Sequence, residues 1–419
     1  MDINDRLNKM CDKLHNFSIF HKNSVPLCAA ENVMSDFCKI PLNGDLQERY
    51  IMGNYSSFSR EDNFIGSQYL LPIYEMIQEQ CKILFGSKYS DARTLSGMNC
   101  LTTVLMSLTD LGDKIAILPP DWGGHASVQP VCERLGLKVY HLPYNESKFD
   151  LDYDGSNKLL KDEDIRFVLL APSDIIFPLS IENLNLDGKQ LLYDVSQLMG
   201  LIAGNVIVSP LKFTENIVIF GGTHKTLPGP TSGLILTNND EIHKRLDKSI
   251  NPQFLRNTQM HQVTSLLFAL LEMEVYGSAY SRAIIETANG LGNALEEQGF
   301  IVGKNPSKYS GTHQVFIFCD AEEMDNINRN AIFYGVTLNK KQKPLFRNNG
   351  IRLGVQEIAR YGWNEDSFIT ISFIIKELIK KNPNENAIEL FKKSLPQKTL
   401  RYTFSNKEIN SFLSRLHKE

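Results

Sequence analysis

The sequence lacks the features that mark several classes of protein. Its seven cysteines are scattered and no two of them form a C-x-x-C pair, which disfavours a disulfide framework or a zinc site, so we predict no metal centre. No apolar run approaches the roughly 20 residues needed to span a bilayer, and the charged start of the chain does not resemble a signal peptide. We therefore expect a cytoplasmic protein without membrane attachment.

An excess of basic charge is also missing. The 44 basic and 48 acidic residues give a net charge of −4. Nucleic acids and anionic membrane surfaces select basic proteins, so the composition predicts binding to neither. With 419 residues, the chain is long enough for about two or three domains.

The sequence does contain a series of short runs rich in Val, Ile and Leu. Unbroken hydrophobicity is typical of strands covered on both faces, as in a mainly parallel sheet. Helical spacings of three and four residues lie around these runs, as in Tyr74, Ile77, Cys81 and Leu84. The order of strand, helix and strand predicts an α/β fold. The apolar runs are 114–118, 138–142, 166–171, 190–193, 216–220 and 233–237.

The pattern changes towards the C-terminus. Residues 263–295 predict one or two long helices, 314–318 predict a strand, and terminal helices are expected near 366–380 and 407–416. We interpret this change as the passage into a smaller domain. The predicted division is an N-terminal segment over 1–50, a large domain over 51–280 and a small α+β domain over 281–419.

Three motifs carry candidate chemistry. Lys225 lies in the sequence GGTHKTLPGP at 221–230, and a lysine confined at a strand end can form a Schiff base with an aldehyde cofactor. Asp194 ends another apolar run and could face a ligand at the carboxyl edge of a parallel sheet. Ser96 and Gly97 precede an apolar helix, whose first N–H groups form an anion site.

Each motif also has a purely structural explanation. A lysine at a strand end is commonly solvated, an aspartate such as Asp194 can cap a helix or a turn, and Ser96 can simply cap the helix that follows it. The residues alone leave both explanations open.

Taken together, the motifs resemble the serine hydroxymethyltransferase family. The resemblance extends from about Leu27 to Trp363 and implies a fold type I, aspartate aminotransferase-like architecture that binds pyridoxal 5′-phosphate and acts on an amino acid. The matching segments, in the family's order, are LCAAEN at 27–32, Ser96-Gly97, GGH at 123–125, Asp194, THKTLPGP at 223–230 and GIRLG at 350–354.

The resemblance implies how the cofactor is held. Lys225 would carry it as a Schiff base, Asp194 would pair with the pyridine nitrogen, and His125 would stack on the ring. His224 could equally fill space beside the lysine, and Arg256 could contact the phosphate across a dimer or be an ordinary surface arginine. The remaining cofactor residues implied by the resemblance are Ser96, Gly97, Met98, Ser173 and Gln197.

The resemblance also implies a substrate pocket. Arg352 would bind the substrate carboxylate, a task suited to a planar guanidinium group. Glu31 and Tyr50 would line the pocket and, with Lys225 and His125, form the catalytic set. Tyr50 would reach the pocket from the neighbouring subunit, so we expect a homodimer or a higher homo-oligomer.

The sequence departs from the family mainly on the side that handles the one-carbon unit. The family's glutamate two residues after the tyrosine is Met52, its histidine after the aspartate is Gln197, and its second phosphate-turn serine is Met98. A family glycine-rich loop aligns with 253–257, and the folate-contacting loop is a shorter, basic stretch at 339–346. We therefore predict an enzyme that does not require tetrahydrofolate.

Four functions are compatible with these residues. The first is hydroxymethyl transfer or a related aldol or transaldol reaction at the Cα–Cβ bond. The second is racemisation, with Lys225 and Tyr50 as bases on opposite faces of the substrate. The third is amino transfer, which would use the same lysine. The fourth is a protein of this fold that binds without turnover.

Overall fold

The computed structural model describes residues 2–51 and 64–416. The strands are β1 (Val25–Pro26), β2 (Tyr89–Asp91), β3 (Lys114–Ile117), β4 (Lys138–His141), β5 (Tyr144–Asn145), β6 (Asp150–Leu151), β7 (Phe167–Leu170), β8 (Gln190–Asp194), β9 (Ile217–Gly222), β10 (Gly233–Thr237), β11 (Ile301–Val302), β12 (Gln314–Phe318), β13 (Val336–Thr337), β14 (Asn339–Lys341) and β15 (Gly350–Gly354). The helices are α1 (Ile3–Asn23), α2 (Asp36–Lys39), α3 (Pro72–Phe85), α4 (Gly97–Leu108), α5 (Val128–Arg134), α6 (Tyr153–Asp162), α7 (Met199–Ala203), α8 (Asp240–Ser249), α9 (Met260–Glu297), α10 (Ala321–Tyr334), α11 (Gln356–Arg360), α12 (Glu365–Leu378), α13 (Glu385–Ser394) and α14 (Asn406–Leu416).

The described chain forms two compact units. The larger unit consists of Ala30–Ile285, Gly311–His313 and Arg401–Glu419, as far as these are described. The smaller unit consists of Met1–Ala29, Glu286–Ser310 and Gln314–Leu400, as far as these are described. Each of these units consists of three separate stretches of chain. The predicted domains, 1–50, 51–280 and 281–419, are unbroken stretches, and that division stays a prediction.

A seven-stranded sheet forms the centre of the larger unit, in the order β2-β10-β9-β8-β7-β3-β4. Strands β4, β3, β7, β8 and β9 pair in parallel, whereas β10 runs antiparallel to both of its neighbours. Every residue of β7, β9 and β10 is buried, which explains their unbroken apolar sequences. The predicted α/β fold with a mainly parallel sheet is confirmed.

One face of this sheet is covered by a helix that leads directly from the predicted anion site. Helix α4 packs on β8, β9 and β10. Its apolar side chains Leu101, Val104, Leu105 and Leu108 are all buried in the same core as the strands. The position of the helix therefore fixes its N-terminus against the edge of the sheet.

The smaller unit has an antiparallel sheet in the order β11-β12-β15-β14. Helix α12 packs against both α10 and α13, and α10 also lies on β14 and β15. In this sheet Arg352 lies opposite Phe316 on one side and Asn339 on the other. The predicted α+β character of the C-terminal part is confirmed.

The structure also shows elements that the sequence patterns did not reveal. Helix α13 begins at Glu385, inside the polar run 380–386. The composition of this run is typical of a surface loop. Helix α1 begins with a capping box between Asp2 and Asp5, so local capping fixes its start. Among the described residues, no helix combines the length and the hydropathy that crossing a bilayer requires.

Candidate active site

The candidate site lies at the carboxyl edge of the central sheet. Strand β8 ends at Asp194, and β9 ends at Gly222, three residues before Lys225. The loops that follow β3 and β7 carry His125 and Ser173. Because parallel strands end at the same edge, the topology brings these residues to one side of the sheet, where open α/β sheets bind their ligands.

Two threonines fix the loop that carries the lysine. The hydroxyl of Thr223 donates a hydrogen bond of 2.6 Å to the carbonyl of Pro230. The hydroxyl of Thr226 donates to the carbonyl of Gln197 (3.1 Å) and accepts from the N–H of Gly200 (3.0 Å). The threonines of the motif therefore hold the backbone on both sides of the lysine.

Asn32 fixes the lysine itself. Its Nδ2 donates to the carbonyl oxygen of Lys225 and also to the hydroxyl of Tyr280 at 2.9 Å. Its Oδ1 accepts from the N–H of Val33 at 2.8 Å, so the side-chain amide is held at both ends. The sequence showed Asn32 only as part of a matching segment, because 193 residues separate it from the lysine.

Ser196 holds the carboxylate of Asp194. The Oδ1 of Asp194 accepts from the N–H of Ser196 at 2.8 Å and from its hydroxyl at 2.5 Å. The serine hydroxyl accepts in turn from the N–H of Gly222 at 2.9 Å. Within the described residues, no hydrogen bond reaches the second oxygen, Oδ2, of Asp194, so this oxygen remains available to a ligand.

The N-terminus of α4 meets this network so closely that only glycine fits. A Cβ atom on Gly97 would lie 2.7 Å from the nitrogen of Gly222, and one on Gly221 would lie 2.5 Å from the Oγ of Ser196. Ser96 caps the helix by accepting from the N–H of Asn99 at 3.1 Å. The first N–H groups of a helix suit an anion, so this cradle fits the phosphate of the cofactor.

His224 lies beside the lysine as a neutral imidazole. Burial and the positive charge of Lys225 lower the pKa of His224 to about 4. In the part of the chain that the structure describes, its buried Nδ1 has no hydrogen-bond partner. A buried polar atom without a partner next to the glycine cradle is what a site for a polar ligand would contain.

Hydrogen bonds between two loops place the remaining residues of this edge. The N–H of His125 donates to the carbonyl of Ala171 at 2.8 Å, and the N–H of Ser173 donates to that of Gly123 at 2.7 Å. The Nδ1 of His125 accepts from the N–H of Ser127 at 3.2 Å, which orients the half-buried ring. These hydrogen bonds hold the loops of His125 and Ser173 at the edge that also carries Lys225 and Asp194, and the contacts of these residues with the cofactor stay predictions.

Four predicted residues lie on the surface of the single chain. Glu31, Tyr50, Met98 and Arg256 are all exposed. The ring of Tyr50 packs on Phe64 at 4.6 Å. Gln197, in contrast, is buried. Their roles stay predictions, and Met52 lies outside the described residues.

Arg352 belongs to the smaller unit, where Asn339 orients it. Its Nη2 and Nε donate to the Oδ1 of Asn339 at 2.7 Å and 3.3 Å. The thiol of Cys28 donates to the same oxygen over 3.9 Å. Arg352 is 5% exposed, so its buried guanidinium group needs hydrogen-bond partners such as Asn339. The sequence placed Asn339 in a shortened loop, whereas the structure places it in β14 beside the arginine.

The stretch at 339–346, which the resemblance aligned with the folate-contacting loop, ends in a packed turn. Residues Pro344–Phe346 form one turn of 3₁₀ helix, and the side chains of Leu345 and Phe346 are buried. The ring of Phe346 lies 4.3 Å from that of Phe316 on β12. The stretch contributes to the core of the smaller unit.

A buried ion triad precedes the phosphate cradle, and no sequence pattern indicated it. The Nη2 of Arg93 lies 2.6 Å from Asp91 and 2.9 Å from Asp247. Arg93 is only 2% exposed. The triad joins the end of β2 to α8 just before Ser96, so it anchors the chain where it enters the cradle.

Comparison with known proteins decides the family. A sequence model of serine hydroxymethyltransferase matches residues 3–375. The chain belongs to the serine hydroxymethyltransferase family. Serine hydroxymethyltransferase from Sulfolobus acidocaldarius is 30% identical over 94% of this chain and 93% of its own length, and that from Picrophilus torridus is 31% identical over the same shares.

A solved structure confirms the fold. The L-threonine transaldolase of Pseudomonas fluorescens superposes with a TM-score of 0.89 at 24% identity, over 98% of this chain and 97% of its own. Family and fold together make this chain a pyridoxal-phosphate-dependent enzyme of fold type I, a transferase or lyase that acts on an amino acid.

Proposed function

We propose that this family member makes and breaks the Cα–Cβ bond of a β-hydroxy amino acid by an aldol or transaldol reaction that does not use tetrahydrofolate. Pyridoxal phosphate, when bound, delocalises the electron pair left at Cα after a bond there breaks. The protein then decides which bond breaks and what accepts the released fragment.

The packed turn at Pro344–Phe346 carries the folate-independent part of this proposal. The family uses the loop at this place to contact folate, but here Leu345 and Phe346 are buried in the core of the smaller unit. Met52, which stands where the family has an acid/base glutamate, cannot exchange a proton. We infer from both that the loop contacts and the acid/base group, which a folate-borne one-carbon unit would need, are missing.

The likeness to an L-threonine transaldolase supports the aldol part. By its name, that enzyme is a transaldolase that acts on L-threonine. Because the two proteins share a fold, we infer that the Cα–Cβ bond is also the bond that breaks here.

The residues of the site fit distinct tasks. Lys225 would hold the cofactor and move a proton at Cα, and Asp194 would use its Oδ2 to keep the pyridine nitrogen protonated. Arg352, oriented by Asn339, would bind the carboxylate of the substrate. Glu31 and Tyr50 would complete the substrate pocket.

Turnover of L-serine and L-threonine with and without tetrahydrofolate tests the proposal. We expect aldehyde release from one of these amino acids, and exchange with an added aldehyde, at the same rate in both conditions. Met52→Glu is the matched variant, and it should not create folate dependence while the turn stays packed. A large stimulation by tetrahydrofolate would contradict the proposal, as would solvent deuterium uptake with racemisation but no aldehyde.

We propose further that the protein is a homodimer or larger homo-oligomer. No residue of α1 is buried within one chain. Its apolar residues Ile3, Leu7, Met10, Leu14 and Phe17 repeat at spacings of four and three and are 47% to 64% exposed. A continuous apolar stripe of this length is typical of a helix that packs on another surface, and a second copy of the chain would cover it.

Sedimentation tests the oligomer. The parent chain should sediment as a dimer or larger, and a variant with Leu7→Asp and Leu14→Asp should dissociate. Lys9→Asp changes the charge of the same helix outside the stripe and serves as control. A monomeric parent with full activity would contradict the proposal.

A reducing, cytoplasmic compartment is the last part of the proposal. None of the seven cysteines forms a disulfide bond. Cys81, Cys100 and Cys132 are buried, and burial raises the pKa of each thiol to about 12, which keeps them protonated and unreactive. Localisation of a tagged chain by microscopy or fractionation tests this.

A further inference from the structure

The last part of the chain returns to the larger unit. Residues Gln314–Leu400 belong to the smaller unit, whereas Arg401–Glu419 belong to the unit that contains Lys225. The family match ends at residue 375, so this return lies beyond it. We use the name C-terminal strap for residues 401–416.

The strap packs on the segment that follows Asn32. Phe37 of α2 is nearly buried, with its ring 4.6 Å from Phe268, 4.8 Å from Phe404 and 5.8 Å from Phe412. Two of these rings belong to the strap. Aromatic contacts of this kind stabilise the packing in addition to the burial of apolar area.

A buried carboxylate ties the same two segments together. Glu272 of α9 is 1% exposed. It accepts a hydrogen bond of 2.5 Å from the hydroxyl of Thr403 and one of 3.7 Å from the thiol of Cys38. Thr403 lies in the strap and Cys38 in α2, so loss of the strap would remove one partner of a buried charge.

The strap also reaches the residues that fix the lysine. The ring of Tyr402 lies 5.8 Å from that of Tyr280, which is fully buried. The hydroxyl of Tyr280 accepts from the Nδ2 of Asn32, and the same nitrogen donates to the carbonyl of Lys225. A continuous series of contacts therefore connects the strap with the backbone of the lysine.

We propose that the C-terminal strap sets the position of Lys225, with Asn32 and Tyr280 as its positioning residues. The strap holds α2 through Phe37 and Glu272, and it supports Tyr280 through Tyr402. Asn32 transmits both constraints to the lysine carbonyl. This inference rests on the proposed function only in taking Lys225 as the lysine that holds the cofactor.

Hydrogen exchange in the full-length protein tests the proposal. Phe404→Ala and Tyr280→Phe should each accelerate exchange of the backbone amides at 223–227 by about tenfold, because the loop loses support worth about one hydrogen bond. The same variants should lose bound pyridoxal phosphate faster. Phe373→Ala is the matched control, since it removes a ring contact with Phe391 at 5.5 Å in the smaller unit.

The outcomes distinguish failure of the strap proposal from failure of the proposed function. Faster exchange in both variants with an unchanged control supports the strap, and exchange equal to the parent in the strap variant Phe404→Ala overturns it. If Phe404→Ala does not fold, Phe404→Leu decides, because it keeps an apolar side chain and still removes the ring contact with Phe37. Borohydride reduction followed by peptide mapping identifies the cofactor lysine independently, and label on a lysine other than Lys225 would overturn that assignment without touching the exchange result.

Discussion

The lysine loop and the stretch from β14 to β15 differ in how much of the family they preserve. At the lysine loop, the family's threonines are present, and each makes hydrogen bonds that fix the backbone. Between β14 and β15, Arg352 is present, but the residues before it form a short packed turn. This contrast is the basis of our proposal that the groups which any amino acid would need are preserved and the groups which a folate acceptor would need are changed.

The largest expected effect would come from Lys225→Ala. Loss of a group that holds the cofactor and moves a proton should lower turnover by about a thousandfold or more. Turnover and the visible absorption of the loaded enzyme should fall together. Lys212→Ala, on the exposed surface near the same sheet, serves as control. Normal turnover in Lys225→Ala would show that the preserved loop is not the catalytic one.

Arg93→Ala tests the anchor of the phosphate cradle. Removal of the arginine leaves Asp91 and Asp247 buried without their shared cation, which should reduce the free energy of unfolding by about 3–5 kcal/mol. Urea unfolding measures this. Arg245→Ala, on the exposed side of α8, should change stability by less than about 0.5 kcal/mol. Equal effects in the two variants would contradict the anchoring role.

Substitutions of Arg352 and Asn339 test the part of the β14–β15 stretch that keeps the family's arginine. Arg352→Ala should raise KM for the amino acid by about 10- to 150-fold, which corresponds to a lost charged hydrogen bond of about 1.5–3 kcal/mol. Asn339→Ala should raise KM less, because the arginine stays but loses its orientation. The cofactor spectrum should remain unchanged in both variants. Unaltered KM in both would assign the carboxylate to another residue.

The burial of His224 predicts a dependence of stability on pH. Its folded-state pKa of about 4 lies below the ordinary value of 6.5, so between these two values the unfolded chain binds a proton that the folded chain does not. Stability of the cofactor-free protein should therefore fall by up to about 3 kcal/mol as pH decreases from 6.5 to 4. His224→Gln should flatten this part of the profile, and identical profiles would contradict the burial of a neutral imidazole.

The two regions also show what the sequence could predict. Short motifs next to apolar runs contain Lys225, Asp194 and Gly97, so local pattern and family resemblance predicted that all three contact one cofactor. Ser196 was not singled out, although it neighbours the aspartate, because its partner Gly222 is 26 residues away and only strand pairing brings them together.

Longer separations explain the remaining omissions. The contact between Asn32 and Lys225 depends on the whole fold of the larger unit. Asn339 falls in a predicted loop because the stretch 339–346 aligns with the family's folate-contacting loop. Its place in β14 depends on pairing with β15. The sequence does not reveal this strand, because Asn339–Lys341 contains no apolar residue. The ion triad of Arg93 joins residues 154 positions apart.

The central claim is that the amino-acid side of this family site is preserved and the folate side is not. Calorimetric titration of tetrahydrofolate into the loaded enzyme saturated with glycine tests it most directly, with the glycine titration itself as the positive control. We predict that glycine binds and that Arg352→Ala weakens it, while tetrahydrofolate gives no binding signal. Tight binding of tetrahydrofolate that depends on bound glycine would contradict the account.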